Sequence, residues 1–160
     1  MRVSEVLQAS RDLVEILRGR PEFDVYIGAV FQSPNTIADP QNANLRANGL
    51  DRSSGIYLVA DMSDEVLYVG KATADNLHPE LWGKLGTPVG DAPPVSYPST
   101  YWSRRTDISA TILSDIEKGN LQVVAFALEP TWVASLFEVY LHCLCTAIEG
   151  RLPPLNSRIG

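Results

Sequence analysis

Apolar residues first recur at helical spacing. Val3, Val6, Leu7, Leu13, Val14 and Leu17 share one side, while Glu5, Arg11, Asp12 and Arg18 lie largely elsewhere. This predicts an amphipathic helix over 3–18, stopped by Gly19 and Pro21. Phe23, Val25, Ile27, Ala29 and Phe31 then alternate, which predicts a strand over 23–31. Residues 32–54 carry two prolines, four asparagines and few large apolar groups, the pattern of a long loop, with Leu45, Ala47 and Leu50 as the trace of a short helix. Apolar runs over Gly55–Ala60 and Val66–Gly70 flank the polar stretch Asp61–Glu65, which predicts a β-hairpin.

The second half reads similarly. Residues 71–103 are rich in Gly and Pro and hold Trp82, Tyr97, Tyr101 and Trp102, so we expect loop with one short helix near 77–85. Ile108, Ile112, Leu113 and Ile116 predict a helix over 106–118, ended by Gly119 and Asn120. Leu121–Leu128 is an apolar strand, and the longest helix covers 132–149, between Pro130 and Gly150. Pro153 and Pro154 keep the tail from Leu152 onward extended. The expected fold is α/β (α+β), with a small, mainly antiparallel three-stranded sheet flanked by helices. Its centre is the hairpin and the 121–128 strand, and the 23–31 strand is placed to extend it. Residues 1–54 form an N-terminal extension packed on a domain of 55–160.

Composition narrows the function classes. The chain has 160 residues, 45% hydrophobic and 20% charged, enough to build a packed core. Thirteen Lys/Arg against nineteen Asp/Glu leave a net charge of −6, so bulk charge does not hold nucleic acid here; a phosphate site must be a local patch. No window approaches ~20 uninterrupted apolar residues, so no membrane span is expected. The first residues lack a signal-like apolar run. Cys143 and Cys145 are separated by a single residue, too close for an ordinary structural disulfide. A reducing cytoplasm is the expected location. On a helix the two thiols point ~200° apart and cannot share one zinc, so they read as small hydrophobes.

The hairpin carries a recognisable pattern. Its first strand opens Gly55-Ile56-Tyr57 and its second closes Tyr68-Val69-Gly70, with ten residues between the tyrosines. Further on, Glu138 lies on the long helix, and Leu152-Pro153-Pro154-Leu155-Asn156 follows it. Over 55–156 the chain resembles the GIY-YIG nuclease family, which is named for two such triplets. The resemblance implies a metal-dependent endonuclease that hydrolyses DNA phosphodiesters, with Tyr57 as the water's base and one divalent cation, Mg²⁺ or Mn²⁺, held by Glu138. It further implies a bracing role for Asn156.

Several residues follow from what that chemistry needs. A phenol with an ordinary pKa near 10 is a poor base, so neighbouring positive charge must lower it, and Lys71 directly follows the second triplet. Tyr68 is an alternate phenol or phosphate contact. On the long helix the apolar stripe is centred near Phe137, Leu144 and Ile148, which sets Glu138 at its edge, with His142 one turn away as a phosphate or water contact. Tyr57, Tyr68, Lys71 and Glu138 are expected to line one cleft, with Tyr57 and Glu138 on the same face of the sheet.

The pattern also departs from the family, whose members carry an arginine soon after the second triplet. Here no arginine occurs between Arg52 and Arg104. Two readings stand. In one, the 71–103 insertion, as in restriction-enzyme members, hands the role to Arg104 or Arg105 at the start of the 106–118 helix, with Lys84 as a further nucleic-acid contact. In the other, the domain is catalytically impaired and acts as a binding module through a protein partner or weak nucleic-acid binding. DNA is the expected partner, and a homodimer is compatible with the sequence.

Overall fold

The computed structural model describes residues 1–159. Helix α1 spans Val3–Arg18, β1 Tyr26–Gln32, β2 Gly55–Asp61, β3 Val66–Ala72, α2 Leu77–Leu85, α3 Ala110–Lys118, β4 Leu121–Glu129 and α4 Val133–Glu149. Two short 3-10 turns, Pro40–Ala43 and Leu45–Asn48, lie in the loop before β2.

The four strands form one sheet in the order β1-β4-β2-β3, with every neighbouring pair antiparallel. The α+β architecture is as the sequence suggests, but the sheet has four strands rather than three. Strand β1 pairs with β4 from Tyr26↔Glu129 to Gln32↔Val124 and becomes one edge. The expected centre also shifts. Strand β2 pairs with β4 along its whole length, from Gly55↔Ala127 to Asp61↔Leu121, and this pushes β3 out to the opposite edge. Alternation sends successive side chains to two separate cores. Tyr57, Val59, Val123 and Ala125 face α2, the 3-10 turns and the 95–108 segment. Ile56, Leu58, Val124 and Phe126 face α1 and α4.

Local chemistry moves other boundaries. Helix α3 begins at Ala110, not 106, because Ser109 Oγ accepts the Ile112 N–H and caps the helix there. Ile108 is buried ahead of the helix, in the turn that also carries Arg104 and Arg105. The buried face of α4 is Ala134, Phe137, Glu138, Leu141, His142 and Cys145, rotated from the expected stripe, and Ile148 is 61% exposed. Tyr97 and Trp102 are fully buried core residues, with the Tyr97 hydroxyl donating to Ile37 O. The tail turns rather than extending: Asn156 N–H donates to Pro153 O, and Leu155 N–H to Leu67 O on β3. Among the described residues no helix is long and apolar enough to cross a membrane.

Candidate active site

The two glycines of the hairpin have steric reasons. Gly70 pairs across the ladder with Tyr57. A Cβ on Gly70 would stand 2.5 Å from Tyr57 Cζ and 2.6 Å from Tyr68 Cε1, so only a bare backbone lets the two phenols settle over β3. A Cβ on Gly55 would run into the carbonyl oxygen of Phe126, which lies against the strand. The tyrosine rings sit 5.8 Å apart and tilted, and Tyr68 meets Trp102 edge-on at 5.2 Å.

A cleft of about 230 Å³ opens at the β3 edge beside this pair. Its lining arrives from two layers. Tyr57 and Tyr68 come from the core under α2, and α2 adds Glu80 and Lys84 one turn apart. Glu138 and His142 come from α4 on the opposite face of the sheet, and Lys71 from β3 itself. The expectation that Tyr57 and Glu138 share one face of the sheet is not met; they reach the same cleft because β3 is an edge strand, and groups from either face can reach around it. Leu155, Asn156, Ser157 and Arg158 close the rim.

One pair of opposite charges in the cleft is held closely. The Lys71 ammonium donates to Glu138 Oε2 at 2.7 Å, with the lysine side chain 30% and the glutamate side chain 11% exposed. Lys71 thus meets a carboxylate and not a phenol. Burial, above all, pushes the Tyr57 phenol far above its ordinary range, and its hydrogen bond to Tyr68 and the charges of Glu80 and Glu138 add to that. Tyr68 is also raised, by burial first, although its bond with Tyr57 works the other way. Burial thus outweighs the expected lowering of Tyr57 by Lys71, whose ammonium is paired with Glu138. Burial likewise lowers His142, which is 1% exposed and within 3.4 Å of Val69 O through Nε2. Lys84 Nζ stands 3.7 Å over the Tyr101 ring.

Asn156 acts as a surrogate strand. Its Oδ1 accepts the Val69 N–H at 2.9 Å and its Nδ2 donates to Val69 O at 2.8 Å. This fixes β3 midway between Tyr68 and Gly70.

Of the residues singled out from sequence, the cleft gathers Tyr57, Tyr68, Lys71, Lys84, Glu138, His142 and Asn156. Arg104 and Arg105 are not in its lining. Arg105 donates to both Asp107 carboxylate oxygens and to Leu155 O, and Arg104 is exposed on the turn. The later start of α3 removes the helix entry that was to present them. Glu80, Tyr101 and Arg158 line the cleft unforeseen. Glu80 and Lys84 stand one turn apart on α2, a spacing the sequence displays, whereas Tyr101 and Arg158 lie in turns with no periodicity to flag them.

The donor set fits a hard divalent cation of the magnesium type. Such an ion keeps several waters and needs only one or two carboxylates besides phosphate oxygens. Glu138 supplies a carboxylate at the wall, with Glu80 lining the same cleft. Among the described residues no three His, Cys, Asp or Glu side chains cluster as a closed metal cage.

No family model matches the chain, and no solved structure matches it. Part of the chain is similar to the UvrABC system protein C of Gloeobacter violaceus, with 51% identity over 39 residues. That stretch is 24% of this chain and spans only 6% of the relative.

Proposed function

We propose that this chain is a GIY-YIG-type endonuclease that hydrolyses DNA phosphodiesters with one Mg²⁺ or Mn²⁺ held by Glu138. The observation that carries the reading is the meeting of Tyr57, Tyr68, Lys71 and Glu138 in one cleft from three separate elements. The local likeness to UvrABC system protein C is compatible with it.

In this reading Glu138 would hold the cation, which when bound would supply positive charge beside the phosphate. The chain's own groups do the rest. Tyr57 would act as base only as a phenolate: its own proton would first pass to solvent, and the phenolate oxygen would then take one proton from the attacking water, with Tyr68 as its hydrogen-bond partner. Lys71 leaves Glu138 for a phosphate oxygen once a substrate arrives. Lys84 and Arg158 replace Arg104 and Arg105 as the cations that neutralise the phosphate as charge builds. Asn156 and Gly70 position the phenols without touching substrate.

A second reading is a catalytically impaired binding module. It draws on Arg105, whose guanidinium is committed to Asp107 and Leu155 O, and on the upward shift of both phenols. A plasmid-nicking assay with and without Mg²⁺ or Mn²⁺ separates the two. Metal-dependent nicking that disappears in Glu138→Gln supports the nuclease; intact plasmid under every condition supports the binding module.

A further inference from the structure

Helix α2 has two working faces. Glu80 and Lys84 line the cleft, whereas His78, Pro79 and Trp82 line a second, more open groove of about 490 Å³. Its opposite wall is the 3-10 region before β2, with Gln41, Asn44 and Arg46. The chemistry of this groove is unlike a core edge. The Trp82 ring is partly buried and stacks on Tyr97 at 5.9 Å, and His78 stands edge-on to it at 5.7 Å. His78 Nδ1 and Trp82 Nε1 are both buried, with no hydrogen-bond partner among the described residues. Orphaned polar atoms of this kind are rare in folded proteins and call for a partner. Burial first, and then the nearby Arg46 charge, lower the His78 pKa, which favours the neutral imidazole with one donor and one acceptor nitrogen. Arg46 is exposed and forms no ion pair among the described residues.

A planar aromatic surface, orphaned donor and acceptor atoms and one uncommitted guanidinium match a nucleotide. The base lies against an aromatic ring, its phosphate meets the arginine, and its edge reaches the buried polar atoms as the His78 and Trp82 rings shift to admit it. The groove is one helix away from the cleft, and a helix with its side chains is about 10–12 Å across. A nucleic-acid strand whose phosphate occupies the cleft can cross α2 and deliver a neighbouring nucleotide to the groove. We propose that the Trp82–His78–Arg46 groove is a nucleobase-binding subsite for a nucleotide flanking the bond in the cleft. This rests on the nuclease reading for its place in the reaction, but not for its chemistry.

The test follows the three indole N–H signals, those of Trp82, Trp102 and Trp132, by NMR while a single-stranded thymidine oligonucleotide is added. Trp82→Phe, which keeps an aromatic ring, assigns the Trp82 signal. The expected result is a saturable shift of Trp82 alone, weakened about tenfold in Arg46→Gln, which removes one charge-assisted contact at an exposed position. Inorganic phosphate alone leaves Trp82 in place, because the base carries the recognition. Glu138→Gln retains the shift, so the groove stands even where cleavage is lost. An unmoved Trp82 signal in a protein that nicks plasmid overturns the subsite and leaves the nuclease reading intact. A Trp82 shift matched by phosphate alone, or untouched by Arg46→Gln, also overturns it.

Discussion

Gly70 and Tyr57 face each other across the β2–β3 ladder, and the missing side chain of one is the space occupied by the phenol of the other. Gly70→Ala should therefore destabilise the fold by about 1–3 kcal/mol, the usual range for forced overpacking. Gly83→Ala is the control. Gly83 lies on the exposed side of α2 with nothing within 4 Å of an added Cβ, so alanine should stabilise by about 0.5–1 kcal/mol through helix propensity. Denaturant unfolding of the two variants should move in opposite directions; an unchanged midpoint for Gly70→Ala rejects the steric account.

Glu138→Gln should lower metal-dependent cleavage by on the order of 10²–10³, since a neutral amide is a poor ligand for a hard cation. Stability should change by less than about 1 kcal/mol, because the partner Lys71 keeps access to water and the pair is partly screened. Nicking rates and thermal unfolding on the same preparation check both halves.

Lys84→Ala and Arg158→Ala should each reduce cleavage more than Arg104→Ala, because only the first two side chains line the cleft. The Arg104 variant should show at most a mild, salt-sensitive loss of DNA binding. Equal losses for all three would remove the assignment of cations made from the cleft lining.

Alkaline stability follows from the phenols. Tyr57, Tyr68 and Tyr97 all have folded pKa values raised chiefly by burial. Below about pH 10, the ordinary phenol value, folded and unfolded chains both keep these protons and stability is unaffected. Above it the unfolded chain ionises and the folded chain does not, so stability falls as pH rises. Near-ultraviolet phenolate absorbance should show these three tyrosines ionising only together with unfolding. Their ionisation in a protein that keeps its native circular dichroism would contradict the burial of the pair.

Most elements were legible because their periodicity is strong: α1, the hairpin, α2 and β4 begin within a few residues of where the apolar pattern places them. That the tyrosines, Lys71, Glu138 and Asn156 line one cleft was legible through the spacing of the triplets and the proline-bearing tail. Arg104 and Arg105 misled because the pattern over 106–118 does not reveal that Ser109 caps the helix, leaving Ile108 in the turn. The β3 edge position was not legible either, since hairpin pairing alone does not say which strand receives β4. Glu80 stands one turn before Lys84, a spacing the sequence displays, but only the fold shows which face of α2 meets the cleft.

Asn156→Ala should cost about 1–3 kcal/mol, because it strands the Val69 N–H on β3 and leaves Val69 O only the His142 ring nitrogen. Hydrogen exchange at the Val69 amide should accelerate well beyond that of Leu58, an interior-strand residue. Equal protection in variant and wild type would show that the side chain is not what holds β3.

The tail's contacts with Leu67 and Val69 also change what the sheet can do towards other chains. A bare edge strand is a template for further strands and a route to aggregation. Here β3 is blunted by Leu155 and Asn156, so the side of the sheet next to the cleft cannot recruit a stranger's backbone. Growth by strand addition is confined to the opposite margin, along β1, where Tyr26 and Val30 are exposed. A chain cut after Arg151 would lose that asymmetry: its sheet would be sticky on both margins, and its solubility would fall before its helices melted.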